Sequence, residues 1–170
     1  MIKHTLVILL CITTLLFAGG CKQEEIIKLT TENYSTYLTV SGNYQFSFEY
    51  DGEVGYRGTQ AARRWDLANV IEMSFKVEPQ STNYEFENVS ITVLAVGDGK
   101  YKTYNYVSSW TPDDSITPVS DTILITVGIG GKGSKSTVLT LPEKTAVDMD
   151  DFNPIMDIIS ITGTVKKLNN

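Results

Sequence analysis

Residues 70–79 read VIEMSFKVEP. Ile71, Met73, Phe75 and Val77 alternate with Glu72, Ser74, Lys76 and Glu78. Successive side chains of an extended strand point to opposite faces, so this segment has one apolar face and one polar face. An α-helix would scatter the same four apolar residues around its circumference. The stretch is therefore a half-buried strand, and Pro79, which has no N–H for a ladder, closes it.

The same period of two recurs on both sides. In NYQFSFEYD (43–51), Tyr44, Phe46, Phe48 and Tyr50 share a face and have the composition of core. In YEFENVSITVLAV (84–96) the parity slips between Phe86 and Val89, which predicts a bulge near Glu87–Asn88. Asp98–Gly99 follows as a hairpin signal before KYKTYNYVSSW (100–110). DTILITVGI (121–129), KSTVLTL (135–141) and DIISITGTVKKL (157–168) complete seven strand candidates. In the last of these, Ile159, Ile161 and Val165 share a face, with Gly163 between them. Thr31 followed by Glu32 predicts a short helical turn through Tyr37, with a first strand over LTTENYSTYLTV (29–40) as the alternative. Seven strands with little helix predict an all-β fold: an antiparallel β-sandwich, immunoglobulin-like or close to it. A small closed barrel is the alternative.

The start of the chain addresses location. Lys3 precedes an uncharged, mostly apolar run from Thr5 to Phe17, and Ala18, Gly19 and Gly20 follow. A basic start, a short apolar stretch and small residues are the parts of a secretory signal peptide. The run is shorter than the roughly 20 apolar residues a spanning helix needs. The next residue is Cys21, and FAGGC resembles the lipobox of bacterial lipoproteins, although Ala18 stands where that family usually has Leu. The resemblance implies a diacylglyceryl group on the Cys21 thiol and cleavage just before it. Two acyl chains hold a protein at a membrane durably, where one binds reversibly. KLTTENYSTYLTV (28–40) also resembles the opening of small uncharacterised Gram-positive lipoproteins, and that resemblance brings no function with it. The expected organisation is a signal peptide over 1–20, a tether over 21–28 and one β-sandwich domain over 29–170. The expected location is the bacterial cell envelope, on the extracytoplasmic side.

Composition excludes several chemistries. The only histidine is His4, inside the expected signal peptide, and Cys11 and Cys21 are the only cysteines. From residue 22 onward there is thus neither imidazole nor thiol for nucleophilic catalysis or for the usual zinc, copper and non-haem iron sites. Loss of Lys3 takes the net charge from −6 to −7. An acidic surface disfavours nucleic acid, whose affinity rests on Lys and Arg at phosphates. No cofactor, no metal and no catalytic residue is expected.

Four stretches remain as candidates for function. Asp51 to Asn69 is the longest run without strand pattern, and it holds Tyr56, Arg57, Arg63, Arg64 and Trp65. Arg and Trp dominate the energetics of many interfaces, so these residues are candidate contacts for an envelope partner. Tyr104, Tyr106 and Trp110 fall on one side of their strand, and an exposed aromatic row there would suit stacking on a sugar ring. GIGGKGSKS (128–136) lacks the Ser or Thr after Lys132 that a phosphate loop needs, and a strand rather than a helix follows, so it reads as a hairpin loop. Asp148, Asp150, Asp151 and Asn153 lack the spacing of a calcium loop and read as a solvated acidic turn. The functional expectation is a lipid-anchored protein with a non-catalytic binding or envelope-interaction role. A carbohydrate-binding module and a carboxylate-based hydrolase are the alternatives.

Overall fold

The computed structural model describes residues 25–48, 67–104 and 110–168. These residues form eleven strands in three antiparallel sheets. The first sheet contains β1 (Ile26–Lys28), β11 (Ile155–Lys167), β5 (Tyr84–Gly97) and β8 (Val119–Val127), side by side in that order. The second contains β2 (Leu38–Ser47), β4 (Val70–Pro79) and β9 (Gly133–Thr140). The third, smaller sheet orders β3 (Leu67–Ala68), β10 (Thr145–Asp148), β6 (Tyr101–Tyr104) and β7 (Trp110–Pro112). The all-β, sandwich-like class expected from the sequence is what the chain adopts. The additional strands, β1, β3, β7 and β10, are two to four residues long, too short to show a period.

The core forms where alternation is cleanest. Ile71, Met73, Phe75 and Val77 of β4 are buried, and so are Val89, Ile91, Val93 and Ala95 of β5. Ile123, Ile125 and Val127 of β8 join them in one continuous apolar cluster. Fully burying such a side chain contributes about 1.5–3 kcal/mol. The bulge expected near Glu87–Asn88 is present. Asn88 has φ 53°, and the ladder between β5 and β11 shifts between Thr162 and Thr164. Gly163 fills that point at φ 112°, where a Cβ would lie 2.6 Å from the Val89 Cα. A second shift, between Ile158 and Ser160, turns Ile159 outward to 52% exposure while Ile161 stays buried. The shared face expected for Ile159, Ile161 and Val165 is therefore corrected at its first member.

The hairpin expected at Asp98–Gly99 is a corner instead. β5 lies in the first sheet and β6 in the third, so the chain changes sheet here. Asp98 holds the corner by accepting the Gly99 N–H at 2.9 Å, and its carbonyl accepts the Asn153 N–H at 2.9 Å. A Cβ on Gly99 would lie 2.7 Å from a Val147 methyl, so any other residue there has to displace that buried side chain. The N-terminal turn is a single 3-10 turn over Tyr34–Thr36. Asn33 sets it up, accepting the Thr30 N–H at 2.8 Å and donating to the Lys28 carbonyl at 2.9 Å. Among the described residues no helix is long and apolar enough to cross a membrane.

The first two sheets meet along two seams. At one, β8 and β9 are joined by the turn Gly128–Lys132, in which Gly128 donates to the Lys132 carbonyl at 2.9 Å. Gly131 takes φ 74° in that turn, against Phe86 and Pro79. Further along, Thr137 donates to the Asp121 carboxylate at 2.5 Å. At the other seam, β2 and β11 come near each other without a ladder between them.

Candidate functional site

The second seam originates in the path of the chain. β1 pairs with the last part of β11, with Ile26 opposite Lys166 and Lys28 opposite Thr164. The Leu29 N–H still reaches the Gly163 carbonyl at 3.0 Å. The chain then leaves β11, passes through the 3-10 turn and resumes as β2 in the second sheet. Among the described residues, 155–162 of β11 have a ladder on their β5 side alone. Among the same residues β2 pairs with β4 alone, so its opposite edge has no ladder either.

A cleft of about 380 Å³ lies between these two edges. Its buried floor is Phe75 and Val93, with Val40 and Ile158 half-buried beside them. Thr31, Tyr34, Ser41 and Asp157 supply polar groups at the rim. Among the described residues that line it, Asp157 is the one charged side chain. Met156 reaches across the gap to the open backbone of Gly42. Nearby, Tyr44, Phe46 and Phe152 pack edge to face, with centroids 4.9–5.4 Å apart. Tyr44 is 39% exposed and Phe46 half-buried, so this face of β2 is an accessible flank of the seam and not the closed core its composition predicts.

The sequence-derived candidates lie elsewhere. Cys21, Tyr56, Arg57, Arg63, Arg64, Trp65 and Tyr106 fall outside the described residues. Tyr104 and Trp110 are described, and both are buried, at 5% and 6% exposure. They form a second apolar cluster with Leu67 and Ala146, flanked by Phe48. Trp110 packs at 5.6 Å from Tyr104 and edge to face on Phe48 at 6.1 Å. Neither ring offers an open face, which corrects the expectation of an exposed row containing these two residues. Nor do they share one strand: Tyr104 ends β6 and Trp110 begins β7, opposite each other across that ladder, and a period of two does not show whether a face is covered. The candidate stretch Asp51–Asn69, expected to have no strand, ends in this small sheet, where Leu67 and Ala68 form β3.

The acidic turn is more tightly paired than its sequence suggests. Asp148 is 8% exposed and forms an ion pair with Lys102, across β10 and β6. Lys100 pairs with Asp151 at 2.9 Å, and this contact raises the Lys100 pKa above its ordinary value. Asp148 also accepts the Asp150 N–H at 3.2 Å, capping the 3-10 turn Met149–Asp151. Among the described residues no group of three His, Cys, Asp or Glu side chains gathers to hold a metal ion. Two further groups have shifted titrations. Ser115 and Thr103 donate to the Asp113 carboxylate, which holds its pKa below the usual range. Burial pushes the Tyr101 hydroxyl up, and that hydroxyl donates to the Gly97 carbonyl. The segment 128–136 forms the turn between β8 and β9 and continues as a strand, without the helix a phosphate loop requires.

Comparison of the chain with protein-family models, with curated proteins and with solved structures finds no match. Sequence reasoning passed over the seam. One signal was present: SITG, SGNYQFS and their neighbours carry almost no charge in a chain that is 20% charged. Strand edges are normally guarded by lysine, proline or other charges.

Proposed function

We propose that this chain is a bacterial lipoprotein, anchored through Cys21 on the extracytoplasmic side, whose domain binds a partner and performs no catalysis. The observation that carries the binding reading is the cleft between β2 and β11. It joins an apolar floor to unpaired backbone edges and, among the described residues, presents a single carboxylate, Asp157. Carboxylate-based glycoside hydrolysis uses two such groups facing one bond. Open edges and a half-buried floor suit recognition by shape and backbone hydrogen bonds. The lipobox, the absence of histidine after His4 and the acidic net charge support the same reading.

Intact-mass measurement of the protein purified from its own membrane tests the anchor. The expected mass is that of residues 21–170 plus a diacylglyceryl group, and a Cys21→Ala form should lack it. An unlipidated mass for the natural chain would overturn the anchored reading. A panel of glycan substrates on the folded domain tests the second part, with no turnover expected.

A further inference from the structure

We infer that the seam between β2 and β11 receives one extended strand from another polypeptide, added antiparallel to residues 155–162 and carrying a basic residue opposite Asp157. This rests on the binding reading above and specifies its partner.

The backbone makes the first argument. Among the described residues, no backbone hydrogen bond from 155–162 is directed away from β5, and β2 bonds only to β4 along its length. Unpaired strand edges are templates for another strand. The position is the one β1 would occupy if it continued past Leu29, so the twist and spacing of the first sheet already suit it.

Guarding makes the second. Within 155–163 Asp157 is the sole charge, and residues 38–47 of β2 have none. Ile155, Met156 and Ile159 are 37%, 36% and 52% exposed along the same edge. By contrast β9, an edge strand too, carries Lys135, and β8 carries Asp121.

Geometry and charge then choose the occupant. The seam has a strand edge on each side, so an edge strand already built into a folded second copy cannot enter it. A free extended segment can. Its alternate side chains would reach the floor of Phe75 and Val93, displacing Met156 from Gly42. Asp157 at the rim and a net charge of −7 from Cys21 onward favour a basic residue in that segment over an acidic one.

The test uses the full chain in non-ionic detergent and a phage-displayed library of nine-residue peptides. Enriched peptides should alternate β-branched or apolar residues and carry Lys or Arg at a fixed position. A synthetic copy of one such peptide should slow amide exchange at 155–162 by about tenfold or more. Asp157→Lys, a change at an exposed side chain, should weaken that peptide by about fivefold while the unfolding midpoint stays put. Protection at the edges of β3 or β7 instead would leave a binding protein and overturn the seam. So would a dimer that protects 155–162 without peptide, since a second copy would then be the occupant. No enrichment at all, with lipid found on Cys21, would remove the strand-binding proposal and leave the anchor standing.

Discussion

The two seams of this molecule join the same pair of sheets and are built differently. At the β8–β9 seam a five-residue turn ties the strands, Thr137 bonds to Asp121, and a Cβ on Gly133 would lie 2.8 Å from the Thr126 carbonyl. The backbones there nearly touch. At the β2–β11 seam the chain itself crosses between sheets, and a flexible thioether, that of Met156, spans the gap. A sandwich can therefore tie one side with a local turn and leave the other bounded by open edges. The difference comes from connectivity, because strands adjacent in sequence meet at the tied seam and strands distant in sequence face each other at the open one.

The largest expected effect would break the tied seam. Gly133→Val should cost about 3 kcal/mol, since backbone must move to admit the side chain. The matching change at the open seam, Gly42→Val, should cost under about 1 kcal/mol, because Met156 can swing away. Urea unfolding followed by circular dichroism checks both. Equal losses would show that the two seams are equally tight. Next in size, Thr137→Val should cost about 1 kcal/mol through loss of the bond to Asp121. Met156→Ala should cost less still, because that side chain is 36% exposed and spans a gap rather than filling the core.

The smallest effect is a control in the third sheet, away from both seams. The Asp113 carboxyl has a lowered pKa in the fold, so its stabilisation is complete above its unfolded pKa of about 4 and is lost as pH falls through its folded value. Asp113→Asn should therefore flatten the acid limb of stability below about pH 4 and change little at pH 7 beyond the lost hydrogen bonds. Unfolding midpoints measured from about pH 2 to pH 7 check this. An unchanged acid limb would mean that the bonds from Ser115 and Thr103 do not persist in solution.

What could be read from the sequence follows from the range of each signal. The faces of β4, β5 and β8 were legible because alternation is local, and so was the bulge at Asn88, because a slip in parity leaves a mark on neighbouring residues. The short turn before β2 was legible for the same reason. Which strands share a sheet was not, because pairing Ile26 with Lys166 leaves no trace at either position. The corner at Asp98–Gly99 shows the cost of this. A turn-forming pair marks a change of direction, while the sheet the next strand joins depends on distant residues such as Val147 and Asn153. The seam lies between Ser41–Gly42 and Met156–Asp157, and no local rule connects those two stretches. Tyr104 and Trp110 were legible neither as cross-strand partners nor as buried, since β7 folds back on β6 and the cluster that covers them draws on Leu67 and Ala146.

The three-residue ladder of β1 also has a mechanical consequence. A load applied on the N-terminal side of Ile26, as in a domain tethered through Cys21, enters the fold through Ile26–Lys28 and the single bond from Leu29 to Gly163. This ladder is far shorter than the one between β11 and β5, so it would open first under such a load. Its release would extend the unpaired edge of β11 from residues 155–162 to its full length, Ile155–Lys167. A load on the N-terminal side of Ile26 would thus lengthen the unpaired edge of the first sheet without touching the ladders of β4, β5 and β8.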